Sequence, residues 1–274
     1  YKDKVLTLLQ NETYIKVKAK KIVIATGASE KALAFKNNDL PGVYGAGAVQ
    51  TLMNLYGILP GKNVLMVGSG NIGLIVSYQL IQAKANVVCV VEAASSIGGY
   101  KVHASKLRRL GVPIYVNTTI VEAKGKTSVE EAVIASVDEN FSPIEGSQQS
   151  LKVDTICVAV GLCPLTQLLS MIDIKTKYVS ELGGSVAVTD DAFQTNVAGV
   201  YVCGDVAGIE EASSAMVEGA IVGLEIAKTF DENKESYNVL IKNHHEELNS
   251  LRKGPFGEKT RQGILRLKET SYVE

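Results

Sequence analysis

The sequence predicts an α/β protein organised around a parallel sheet, and three observations carry that prediction. Residues 62–117 alternate short apolar runs with amphipathic segments. A glycine-rich turn, "VGSGNIG" at 67–73, joins the first run to the first of those segments. Far downstream, a second apolar run, "GVYVCGDVAG" at 199–208, ends abruptly on Gly204-Asp205. Strand–helix alternation of this kind closes as parallel strands joined by right-handed crossovers.

The elements follow in order. Residues 5–9 and 14–18 read as strands, and "KKIVIATGAS" (20–29) as a β-branched strand that stops at Thr26-Gly27. Pro41-Gly42 and Pro60-Gly61 bracket a helical piece, "GAVQTLMNLYG". Then the pattern becomes regular: strand "KNVLMV", helix "NIGLIVSYQLIQAK", strand "ANVVCVVE", helix "VHASKLRRLG", strand "VPIYV". Residues 118–160 read as antiparallel strands, "EEAVIASVD" and "SLKVDTICVAV", around a polar loop. Beyond Gly161 the strands "GGSVAV" and "GVYVCGD" precede a long helix, "EASSAMVEGAIVGLEIAKTF", with small residues on one face. The polar stretch 231–274 is helical in propensity and interrupted at Gly254-Pro255. It combines Leu251, Phe256, Ile264 and Leu265 with basic residues, and reads as a solvated terminal helix.

Composition limits the function classes. The chain has 274 residues, 46% of them apolar, enough for one large domain or two ordinary ones. Lys+Arg 28 against Asp+Glu 29 leaves a formal charge of -1, so no overall basic field draws nucleic acid or anionic lipid. Mean hydropathy is +0.13, yet no uncharged apolar stretch reaches the roughly eighteen residues of a membrane span, and the expected setting is cytoplasmic. Cys89, Cys157 and Cys203 sit inside apolar runs and Cys163 beside Pro164; with no C-x-x-C they read as core thiols in a reducing compartment. His103, His244 and His245 have no metal-ligand spacing, and no catalytic triad or acid–base dyad is evident.

The glycine-rich turn predicts a dinucleotide site, because it follows a strand, opens a helix and precedes a second strand ending in an acid, Glu92, about twenty residues on. In a Rossmann-like reading Gly68 makes the tight turn, Gly70, next to Ser69, lets a pyrophosphate approach the backbone, and Gly73 allows close helix–sheet packing. The amides around Asn71 and Ile72 form the positive end of the helix that receives phosphate. Glu92 is placed to accept the adenosine ribose hydroxyls, and no arginine follows it closely, which favours NAD over NADP. The alternative is a doubly wound domain whose turn holds no ligand.

Taken in order, "IVIATG", "VGSGNIG…VVE", "VAVGLCP" and "TNVAGVYVCGDVAG" resemble the two-dinucleotide-domain flavoproteins of the pyridine nucleotide–disulfide oxidoreductase superfamily, over roughly residues 5–228. The resemblance implies an NAD-binding Rossmann-like domain inserted into a partial Rossmann-like FAD-binding domain. It makes Thr26-Gly27 the end of an FAD-domain strand, Gly161 the return crossing, and Asp205, after Gly204, the carboxylate that accepts a ribityl hydroxyl of FAD. The helix opening near Glu211-Ala212 would aim its amides at the flavin ring. For Asp205 the alternative role is a helix N-cap, and Glu210 and Glu211 read as first-turn helix charges.

Two departures accompany the resemblance. Small residues, "GVYGAGAVQ", stand where thioredoxin-reductase-like members carry C-x-x-C, and the family's first G-x-G-x-x-G strand does not precede "IVIATG". The chain therefore reads as a C-terminal portion of a longer polypeptide. Its motifs are most similar to the disulfide-free FAD/NAD subunits of opine, sarcosine, hydrogen-cyanide or glycerol-3-phosphate dehydrogenase-type complexes. The expected organisation is 1–61 as the first FAD-domain part and linker, 62–160 as the NAD(H) domain, 161–230 as the returning FAD half, and 231–274 as the tail. The expected activity is hydride exchange between NAD(H) and FAD, with electrons relayed to a partner subunit or other acceptor. The rival expectations are a flavin-free NAD dehydrogenase and a non-catalytic nucleotide-binding subunit.

Overall fold

A computed structural model describes residues 5–231 and 234–269, excluding the side chains of 255 and 256. The chain divides into two compact units, one of residues 30–161 and one of residues 1–29 with 162–274.

The unit of residues 30–161 has three layers. Its centre is a five-stranded parallel sheet in the order Val43–Gly45, Thr155–Val158, Asn63–Val67, Asn86–Val91, Ile114–Tyr115. Period-two alternation sends successive side chains of Asn63–Val67 to opposite faces. Val64 and Met66 meet Leu74 and Leu80 of helix Asn71–Gln82, Val49 of helix Ala46–Tyr56, and Ala104 and Leu107 of helix Lys101–Arg109. Leu65 and Val67 meet Ile120, Ala123, Ala132 and Ile134, from an antiparallel sheet of Thr118–Lys124, Glu131–Ser136 and Gln149–Lys152. Burial on both faces explains the near-continuous apolar runs of the parallel strands.

Residues 30–61, read from the sequence within the first FAD-domain part and linker, pack within this unit. One expectation changes here. The stretch "SLKVDTICVAV" is not one antiparallel strand. It breaks at Val153-Asp154: Gln149–Lys152 stays in the antiparallel sheet, while Thr155–Val158 enters the parallel sheet between Val43–Gly45 and Asn63–Val67. All four residues of Thr155–Val158 are buried, which suits an interior parallel strand, and the Asp154 carboxylate fixes the break by accepting the amides of Lys62 and Asn63.

In the other unit, a hairpin of Val5–Gln10 and Thr13–Lys18 turns through Asn11 and Glu12, both at positive φ, as the right-handed twist of paired strands favours. Ile22–Ile24 and Val200–Val202 run parallel, in register Val202 to Ile24. Helix Ala212–Lys228 presents Val217 and Ile221 to Leu248 of helix Lys234–Leu251. Helix Pro255–Glu269 covers Val179, Leu182 and Val186 through Ile264 and Leu267. The tail is thus two packed helices and not one solvated helix. Leu251 and Leu265 do remain exposed, and the Phe256 side chain lies outside the described residues. No described helix is long and apolar enough to cross a membrane.

Candidate functional site

The glycine-rich turn sits at the carboxyl end of Asn63–Val67, a sheet-interior strand, where open α/β sheets offer ligand crevices. Gly68 has φ +106°, and a Cβ there would lie 2.3 Å from the Ala159 carbonyl oxygen. A Cβ on Gly73 would lie 2.2 Å from the Gly68 carbonyl oxygen and 3.2 Å from Ala159 Cβ. The helix therefore starts as close to the turn as backbone allows, and the packing demands glycine at both positions. At Gly70 a Cβ would meet no atom of the chain within 4 Å, so internal packing makes no such demand. Leu74 N–H is bonded to Gly70 O at 3.0 Å, and the first-turn amides ahead of it, including those of Ile72 and Gly73, have no carbonyl within the helix to reach. Gly161 closes the same unit and accepts Lys31 N–H at 2.9 Å.

Glu92 follows Asn86–Val91, and its carboxylate is engaged by the turn itself. Oε2 accepts Ser69 N–H at 2.9 Å and the Ser69 hydroxyl at 2.6 Å, and Oε1 accepts Ala94 N–H at 3.0 Å. Ser69 is fully buried and its Oγ in turn accepts Gly98 N–H at 3.1 Å. Asn71 Oδ1 accepts Tyr100 N–H at 2.8 Å. The sequence marks Glu92 as a ligand-facing acid; the structure adds that it splints the turn to the end of the next strand.

In the other unit the register brings two distant motifs together. Ile22–Ile24 leads into Thr26-Gly27, and Val200–Val202 leads into Gly204-Asp205, so both lie beyond the carboxyl ends of adjacent parallel strands. Cys203 N–H bonds to Ile24 O at 3.2 Å, and the Thr26 hydroxyl to Leu165 O at 3.0 Å. Asp205 is half-buried. Burial raises its pKa, the Glu210 amide counters that, and the Glu210 charge adds to the rise. Asp205 is not a cap of the long helix: that helix opens at Ala212 with Glu211 in the cap position, and no side-chain cap bond is made. Glu210 lies before the helix and pairs with Arg252, so it is not a first-turn charge.

Three charged residues at these edges carry no motif. Glu30 accepts the amides of Gly47 and Ala48 at 2.6 and 3.3 Å, at the start of helix Ala46–Tyr56, in the small-residue stretch "GVYGAGAVQ". Glu218 is buried and accepts Gly204 N–H, and Arg252 comes from the tail. Glu218 had a sequence signal: it is an acid on the helix face shared by Ser214, Val217, Ile221 and Val222. Arg252 had none, because a basic residue in a polar tail is unremarkable by pattern. The four cysteines are free, and among the described residues no cluster of acids, histidines and cysteines could hold a metal.

These features fit dinucleotides. In one unit a first-turn helix terminus with an open glycine suits a pyrophosphate, and in the other a half-buried carboxylate at a strand end suits a hydroxyl donor. The sequence matches the model of the pyridine nucleotide-disulphide oxidoreductase family over residues 1–219. The chain belongs to that family. Among curated relatives it is 28% identical to sarcosine oxidase subunit alpha of Corynebacterium sp., over 76% of this chain and 20% of that protein. It is 26% identical to hydrogen cyanide synthase subunit HcnB of Pseudomonas aeruginosa, over 82% of this chain and 52% of the relative. The chain thus spans from a fifth to about half of these relatives' lengths. Thioredoxin reductase of T. acidophilum has the same fold, with a TM-score of 0.66 at 21% identity, over 79% of this chain and 68% of that one. The α/β, Rossmann-type class and the oxidoreductase family anticipated from the motifs are those of this chain.

Proposed function

We propose that this member of the family serves an FAD-dependent oxidoreductase in which NAD(H) exchanges a hydride with the flavin and the electrons pass to a partner subunit or another acceptor. The observation that carries the reading is the presence of a nucleotide-type edge in each unit: the Gly68–Gly73 turn with Glu92, and Thr26-Gly27 beside Gly204-Asp205. NAD(H) and FAD supply two-electron chemistry when bound, so the chain's own work is binding and alignment.

Gly70, Asn71 and Ile72 would hold the NAD pyrophosphate, with Gly68 and Gly73 shaping the turn. Glu92 keeps that turn closed and places a negative charge where a 2′-phosphate would sit, and no arginine lies between it and Arg108; NAD is therefore favoured. Asp205 would accept a ribityl hydroxyl, with Thr26, Gly27 and Gly161 shaping the backbone of their own units. The amides following Glu211 and Ala212 would face the ring, where a helix N-terminus favours developing negative charge. A partner subunit is supported by the relatives' own names, which describe subunits.

The test is the visible spectrum of the purified full-length protein, with FAD titration and NADH-dependent tetrazolium reduction. A flavin spectrum, dye reduction with NADH, and FAD affinity weakened by roughly 1–3 kcal/mol in Asp205→Ala are expected. Dye reduction without any flavin, or FAD affinity indifferent to Asp205→Ala, would refute the reading.

A further inference from the structure

The Gly204-Asp205 turn is held from behind by a path of buried charge. Helix Ala212–Lys228 directs Glu218 inward, where the residue is 4% exposed. Its Oε2 accepts Gly204 N–H at 2.8 Å, and its Oε1 accepts Arg252 Nη2 at 2.7 Å. Arg252, one residue beyond helix Lys234–Leu251, also forks onto Glu210: Nε to Oε2 at 3.0 Å and Nη2 to Oε1 at 2.5 Å. The Glu210 backbone amide works against the rise in the Asp205 pKa. The path runs from Gly204, the residue next to Asp205, through Glu218 and Arg252 to Glu210.

Two features separate this arrangement from an ordinary staple between helices. First, all three charged side chains are nearly dry, at 13% exposure for Arg252, 9% for Glu210 and 6% for Glu218. Loss of the guanidinium would leave two carboxylates in a poorly solvated place without their cation. Second, the path ends on backbone beside Asp205: Glu218 holds the amide of Gly204, the residue before it. A staple would bond helix to helix and leave the turn alone.

We propose that Glu218 and Arg252 are positioning residues for Asp205, through which the C-terminal helices set the aim of the carboxylate offered to FAD. This rests on the FAD reading above. It gives Arg252, at the end of helix Lys234–Leu251, a role in cofactor binding: the tail need not touch the ligand to govern it.

The experiment compares Arg252→Met, Arg252→Lys, Glu218→Gln, Asp205→Asn and the double variant Arg252→Met/Asp205→Asn in the full-length protein. FAD dissociation constants come from flavin fluorescence, and amide exchange is followed over residues 203–211 and 67–73. Arg252→Met is expected to raise the FAD Kd about tenfold and to speed exchange over 203–211, with 67–73 unchanged. Arg252→Lys, which keeps the charge without the fork, should recover part of the affinity. In the Asp205→Asn background, Arg252→Met should add nothing to the Kd. Additive effects, an unchanged Kd in Arg252→Met, or unchanged exchange over 203–211 would overturn the assignment. If Asp205→Asn alone leaves the Kd unaltered, it is the FAD reading that fails. Should Arg252→Met not fold, Glu218→Gln carries the same comparison, since it keeps an acceptor for Gly204 and loses the ion pair.

Discussion

Replacing Glu92 by alanine separates a ligand-binding acid from a structural splint. The wild-type carboxylate accepts three hydrogen bonds, two from Ser69 and one from Ala94. Each bond to a charged group contributes about 1.5–3 kcal/mol, but the three share one carboxylate and are not additive. The Ala94 amide is half-buried and can recover water, whereas the fully buried Ser69 amide is left without an acceptor. The expected loss is therefore about 3 kcal/mol. For a unit of this size that is a fall of roughly 10 °C in Tm, read by scanning calorimetry or circular dichroism. Glu92→Gln should fall between, because one amide oxygen survives while its NH2 faces donors. Nucleotide titration supplies the second arm. A splint predicts that Glu92→Ala weakens NADH and NADPH together as the turn loosens; an acid that only recognises ribose predicts weaker NADH and unchanged stability. A destabilisation below about 1 kcal/mol would refute the splint.

Gly73→Ala, whose Cβ would fall 2.2 Å from Gly68 O, should cost about 2–4 kcal/mol and nucleotide affinity with it; a variant of wild-type Tm would show that the helix start can move. Native maleimide labelling at neutral pH should modify one thiol, Cys163. Burial pushes Cys89 up to about 12, and raises Cys157 and Cys203 with help from Glu30 and Glu218 respectively; mass spectrometry finding label on Cys89 first would contradict this packing. Glu218, surrounded by Glu210, Arg252, Cys203 and the Gly204 amide, is raised from 4.5 to about 7, by burial first and by Glu210 second, against the pull of Gly204 and Arg252. The folded chain then holds a proton that the unfolded chain has released. Stability should fall as pH rises from 4.5 toward 7 and level off above, by up to about 3 kcal/mol. Urea titrations across that range should lose this slope in Glu218→Gln, and an unchanged slope would place the proton elsewhere.

The sequence alone determined the parts of this protein whose information is local. The fingerprint turn was legible because Gly68 and Gly73 are required by contacts within a few residues of one another, and by one neighbouring strand. The helices 46–56, 71–82 and 101–109 showed a period that their buried faces use. Even the acid at the end of the second strand was visible, since its position follows from strand length. Tertiary structure decided what each polar group bonds to. Nothing in "SLKVDTICVAV" announces that its two halves join different sheets, because Val43–Gly45 and Asn63–Val67, which flank the second half, lie about ninety or more residues upstream. Glu92 looks the same in sequence whether it faces a ribose or Ser69. Arg252 is one of many basic residues in a polar tail, and only the packing of that tail against helix Ala212–Lys228 brings it to Glu210 and Glu218. Hydrophobic period is written along the chain, but the partner of a buried charge is fixed by which distant segments meet, and burial makes that partner compulsory.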